Sequence, residues 1–203
     1  MKTFAELGIE IAALPSKHRQ KIIAIDGGGG AGKSTFAMWL RPHLHFGTII
    51  HLDDFYRGPW NARIGSTDFD VNPLFDWVRF ETEVLTPLQE GRDFSYHIYD
   101  WHNHTSDNEA HVLPEATIIL EGGAALQEKY VDIYDFKIWI EAPESERLAK
   151  ALVRDGEHMR FLWEEDWLPI ERNYIARQNP AARADLVVVG HEADFEKGSF
   201  NVI

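Results

Sequence analysis

The sequence predicts an α/β domain: a parallel β-sheet covered by helices on both faces. Two observations carry this. Short, near-continuous apolar runs alternate with helical stretches along the chain, and a glycine-rich loop joins the first run to a helix.

Phe4 to Leu14 reads as a short amphipathic helix stopped near Pro15. Lys21 to Ile25 is the first strand, and Ser34 to Leu40 the helix after the glycines, ending before Pro42. Thr48 to Leu52 is the second strand. Asn72-Pro73 reads as a helix start, with a cap and a first-position proline. Helical spacing of apolar residues continues from Leu74 to Leu88, Gly91 ends the helix, and Pro87 should disturb its last turn. Thr117 to Leu120 and Phe136 to Ile140 are the third and fourth strands, and Leu186 to Val189 the fifth. Pro143 to Asp155 is a helix closed by Gly156. Phe94 to Trp101 differs: it alternates and is rich in aromatics, as in a hairpin at the sheet's edge.

The 203 residues suit a single domain over 1–203, and no cysteine is present to form a disulfide. A formal net charge of −13 repels nucleic acid and anionic lipid, so neither is an expected partner. No basic-then-apolar leader and no long apolar window occur, which points to the cytoplasm and away from a membrane. Homo-oligomerisation is left open.

Gly27 to Ser34 fits G-x-x-x-x-G-K-[ST] at every fixed position, with a strand before and a helix after. Glycines let backbone N–H groups turn inward around phosphate oxygens, and the helix N-terminus adds a positive dipole end. Gly28, Gly29, Gly30, Ala31, Gly32, Lys33, Ser34 and Thr35 are therefore the candidate nucleotide contacts. Lys33 is expected at the β- and γ-phosphates and Ser34 on Mg²⁺. The fold expected is the three-layer P-loop NTPase fold, with a five-strand parallel sheet. Kinases, guanine-nucleotide switches and mechanical ATPases share the motif. No Asn-Lys-x-Asp occurs and no second ATPase signature fits, so a small-molecule kinase leads.

Asp53-Asp54 follows the second strand, on the sheet edge that carries the phosphate loop. Either carboxylate could take a proton from an acceptor hydroxyl or hold a water on Mg²⁺; both could also be solvated loop acids. Glu121 ends the third strand, where an acid would approach the Mg²⁺ shell. Asp70 could bind sugar hydroxyls or simply solvate its loop. Arg147, Lys150 and Arg154 share one helical stripe, suited to a lid over about 154–168 or to a solvated face. Trp60, Tyr96, Tyr99 and Trp101 could stack on a base or pack in the core.

In order, the phosphate loop, Asp53-Asp54-Phe55-Tyr56, Phe69-Asp70, Tyr99-Asp100-Trp101, Glu121-Gly122 and Glu146-Arg147-Leu148 resemble the uridine–cytidine kinase family. Its relatives include phosphoribulokinase, pantothenate kinase and nicotinamide riboside kinase. The resemblance spans roughly Ile22 to Val189. It implies ATP and Mg²⁺ as cofactors and a small-molecule hydroxyl acceptor, foremost the 5′-hydroxyl of a nucleoside. It implies Asp53 as the base, also near the metal with Ser34 and Glu121. Asp54, Tyr56, Asp70, Tyr99 and His104 fall on acceptor-binding positions, within an excursion over about 92–112 for the last two. Arg147 and Arg154 match lid arginines, catalytic together with Lys33. Two departures stand out. Asp54 replaces a frequent serine, and Phe69-Asp70-Val71-Asn72-Pro73 is one residue longer than the family's F-D-H-P.

Overall fold

The computed structural model describes residues 1–59, 68–113, 117–194 and 197–203. Nine strands are described: β1 (Lys2–Thr3), β2 (Ile22–Gly27), β3 (Thr48–His51), β4 (Phe94–Asp100), β5 (Thr105–Val112), β6 (Ile118–Glu121), β7 (Phe136–Glu141), β8 (Leu186–Asp194) and β9 (Ser199–Val202). The main sheet has seven strands in the order β1-β9-β8-β7-β2-β6-β3. The five expected strands form its parallel part, β8 to β3. The expected count is corrected by two antiparallel edge strands, β9 beside β8 and β1 beside β9. Neither contains the long apolar run that marked the central strands. An edge strand needs less apolar sequence than one covered on both faces.

Alternation along β2 splits the core. Ile22 and Ala24 join one cluster, and Ile23 and Ile25 the other. Helices α1 (Phe4–Ala13) and α2 (Lys33–Leu40) cover the second face. Thr3 and Glu6 form a capping box at the start of α1, which buries Phe4, Leu7, Gly8 and Ile11 at helical spacing. The rings of Phe4, Phe36 and Phe200 meet there at centroid distances of 4.9–5.0 Å.

The other face is covered by helix α3 (77–90) and by the β4–β5 hairpin. The hairpin is a separate two-stranded sheet packed through Phe94, Tyr96 and Val112, not an extension of the main sheet's edge. The expected helix start at Asn72-Pro73 is also corrected. Asp76 is the N-cap, accepting from the Arg79 N–H at 3.0 Å, while Asn72 Oδ1 closes a turn on the Leu74 N–H at 2.9 Å. Asn and Asp both favour caps and turns, so only the packed arrangement separates them. Pro87 does not break α3: a π turn over Glu81–Leu85 precedes it, absorbing the missing N–H.

Helix α4 (Glu144–Asp155) and helix α5 (160–178) lie beside the phosphate loop and form a separate apolar cluster. The segment 154–168 spans the end of α4, a 3₁₀ turn Glu157–Met159 and the first half of α5. It packs through Met159, Leu162, Trp163 and Leu168 against Ala151 and Leu152. In α5 a π turn Trp163–Trp167 precedes Pro169, the same device as in α3.

Candidate active site

A cavity of about 860 Å³ opens at the carboxyl ends of the parallel strands. Its floor is the loop between β2 and α2. Gly30 and Gly32 have φ of +78° and +97°, which L side chains adopt only under strain. Added side-chain atoms at Gly28 and Gly30 would collide with Arg147, and at Gly29 with the Trp163 ring, whereas Gly32 faces open space. The loop is thus a backbone cradle walled by α4 and α5, and a phosphate chain fits it by the N–H groups that it offers. Lys33 donates to the Gly28 carbonyl at 3.0 Å, arching over the loop.

Asp26, directly before the loop, carried no signal in the sequence. It is fully buried, and four donors converge on it. Gly27 N–H donates at 2.6 Å, Ala124 N–H at 3.2 Å, Leu126 N–H at 2.8 Å and the Tyr174 hydroxyl at 2.6 Å. Burial raises its pKa to about 6, against the hydrogen bonds from Tyr174, Leu126 and Gly27 and the Lys33 charge. One carboxylate thereby ties the loop to the turn after β6 and to α5. Asp26→Asn turns one acceptor into an amide donor facing donors. It is expected to cost about 2–4 kcal/mol, read as a lower urea midpoint at pH 7.5, with Tyr174→Phe costing less. An unchanged midpoint in Asp26→Asn would remove this role.

The ends of β3 and β6 bring His51 and Glu121 together, and Asp53 lines the same cavity as Glu121. The β3–β6 register sets His51 opposite Glu121, and His51 Nδ1 makes a short contact with a Glu121 carboxylate oxygen. That bond is the main cause raising the His51 pKa. Burial opposes the charge of Glu121, but His51, Lys33 and Ser34 more than offset it and hold its pKa below the ordinary value. Asp53 and Asp54 sit in a 3₁₀ turn, Leu52–Phe55. Asp53 lines the cavity and is exposed there; desolvation by nearby protein and the Glu121 charge raise its pKa, against Lys33 and Arg154. Asp54 turns the other way, bonded to Tyr96, and its backbone carbonyl accepts from Arg79 at 2.6 Å. Desolvation raises the Asp54 pKa to about 6. Ser34, Asp53 and Glu121 offer a hydroxyl and two carboxylates, oxygen donors that fit Mg²⁺. Among the described residues no cluster of three or more acidic or histidine side chains forms a dedicated metal cage. Mg²⁺ bound largely through phosphates and water needs none.

The cationic stripe divides. Lys150 and Arg154 line the cavity, Arg154 held by a two-pronged ion pair with Asp155 at 2.6 and 2.9 Å. Arg147 instead lies buried beneath the loop, donating to the carbonyls of Ala142 at 3.1 Å and Gly29 at 3.0 Å.

The expected acceptor residues also divide. Tyr56 and Trp101 line the cavity, their rings 4.9 Å apart, and Asn72 and Phe75, which were not expected there, line it beside them. Asp54, Asp70, Tyr99 and His104 do not line it. The Tyr99 hydroxyl donates to the Gly58 carbonyl at 2.5 Å and sits 3.0 Å from His104 Nδ1. Asp70 pairs with Arg177 at 2.8 Å on an exposed face. Tyr96 is a core residue, and Trp60 lies outside the described residues. His51, Trp163 and Glu171 were missed: each reaches the site through tertiary packing that no local pattern encodes.

What such a site can do is narrow. It can hold a triphosphate along the loop and set a second molecule beside Asp53, under the aromatic wall. That defines a P-loop kinase acting on a small molecule. The uridine kinase of Borrelia duttonii (strain Ly) is 31% identical over 139 residues, which is 66% of this chain and 67% of that one. The chain belongs to the uridine kinase-like family of P-loop kinases. No family model matches it. Among solved structures, a possible uridine kinase from Bacillus stearothermophilus superposes with a TM-score of 0.71 at 18% identity, covering 91% of this chain and 96% of the other. D-glycerate 3-kinase from Cryptococcus neoformans does so at 0.58 and 12% identity, covering 98% and 97%. At these identities both likenesses concern the fold alone. Among the described residues no helix is long and apolar enough to cross a membrane.

Proposed function

We propose that the chain transfers the γ-phosphoryl group of ATP to a small-molecule hydroxyl, foremost the 5′-hydroxyl of a nucleoside. The observation that carries this reading is that Asp53 lines one cavity together with Lys33, Tyr56 and Trp101. Asp53 orients the acceptor hydroxyl and accepts its proton as the new O–P bond forms and the bond from the γ-phosphorus to the bridging oxygen breaks, with ADP leaving. Lys33 neutralises the β- and γ-phosphates, and Lys150 and Arg154 face the transferred group from α4. Ser34 and Glu121, with Asp53, would hold the Mg²⁺, which would supply charge neutralisation on the phosphates. Arg147 acts from below, by fixing the Gly29 peptide. Tyr56 and Trp101 stack the acceptor's ring. Tyr99 and His104 support that wall through Gly58, and Asp70 reaches acceptor hydroxyls only by releasing Arg177.

The 31% identity to a uridine kinase favours a nucleoside over pantothenate, nicotinamide riboside, a sugar or glycerate. The test is a panel of these acceptors with ADP release and ³¹P NMR of the product. Acceptor-dependent ADP release with a 5′-monophosphate is expected for uridine or cytidine. Release with another acceptor alone would move the specificity and keep the class. Turnover independent of every acceptor would make the chain a nucleotide-hydrolysing module instead.

A further inference from the structure

Gly29 stands in the middle of the phosphate loop, where its backbone N–H is among the groups that a phosphate oxygen would take. That N–H donates at 2.5 Å to Glu171 Oε2, from helix α5. The other oxygen of Glu171 lies 2.5 Å from a guanidinium nitrogen of Arg147. The two side chains are only 7% and 17% exposed, Arg147 and Glu171 respectively. Arg147 also donates to the carbonyl of the same glycine. A carboxylate and a guanidinium thus hold the two peptide groups that flank Gly29, one at its N–H and the other at its carbonyl.

A counter-charge for Arg147 would need only one carboxylate oxygen. The second oxygen, on the Gly29 N–H, is what stands in the way of a phosphate. An N–H is a single donor, and two anions brought together in a walled cavity repel. In a chain of net charge −13, a negative side chain is held in a loop built for anions.

We infer that Glu171 is an internal competitor of nucleotide phosphate: its carboxylate holds the Gly29 N–H, and binding of the triphosphate displaces it. The inference rests on the reading of this loop as the ATP site. Displacement also frees the Arg147 guanidinium from its anionic partner next to the incoming phosphates. Glu171 is a regulatory positioning residue here, setting nucleotide affinity without touching the reacting atoms.

The test is direct binding, without acceptor or turnover, by calorimetric titration of ATP and of tripolyphosphate. Glu171→Gln keeps the shape and removes the charge. It is expected to lower the Kd of both probes about tenfold, while adenosine, which has no phosphate, is unaffected. Glu171→Asp withdraws the carboxylate from Gly29 while keeping the charge. It is expected to tighten both about threefold, and it decides the matter should the Gln variant not fold. Unchanged or weaker binding of ATP and tripolyphosphate in a folded variant overturns the inference. Failure of the unaltered chain to bind ATP overturns the underlying reading, and this inference with it.

Discussion

Asp53→Asn is expected to lower kcat about 10²–10⁴-fold while ATP still binds, because the amide keeps the shape and cannot accept the acceptor's proton. Asp54→Asn is expected to cost clearly less. Its carboxylate meets Tyr96 beneath the hairpin, and its neighbour alone lines the cavity. Steady-state kinetics of both variants with a verified acceptor, alongside an ATP titration, makes the comparison. A dead Asp54→Asn beside a near-normal Asp53→Asn would transfer the base role to Asp54. Near-normal rates in both would remove proton acceptance at this turn from the mechanism.

Lys33→Ala is expected to reduce phosphoryl transfer about 10³-fold and leave the fold intact. The ammonium group makes one hydrogen bond, to the Gly28 carbonyl, and lies half-buried at the cavity floor rather than in either core cluster. Its other effects are electrostatic, on Asp53, Glu121 and Asp26. Thermal unfolding should shift by no more than a few degrees, and kcat should carry most of the loss. A folded Lys33→Ala enzyme with near-normal turnover would sink the assignment of this loop to catalysis.

These two residues were legible in the sequence because their positions are local. Lys33 is fixed by the spacing of the phosphate loop, and Asp53 by following a strand directly. The partners of each were not. Glu171 lies 142 residues from Gly29 along the chain and reaches it only because α5 packs beside α4. Tyr174 meets Asp26 across a similar separation. The π turn before Pro169 helps aim this helix, and proline alone does not tell a widened turn from a break. Arg147 and Arg154 look equivalent on a helical wheel, being seven residues apart. Packing buries the first under the loop and leaves the second on the cavity wall.

By itself the sequence determined the five parallel strands, the phosphate loop, the edge on which the acids gather and the family to which the pattern points. Each is written in short-range periodicity or fixed spacing, where a few residues suffice to set the backbone. Only the tertiary structure decided the antiparallel edge, which of two adjacent aspartates faces the cavity, and which cations reach it. It alone brought Asp26, His51 and Glu171 into the site. Those outcomes depend on contacts between distant segments, and the energy that selects them comes from burial and pairing that exist only once the core has closed.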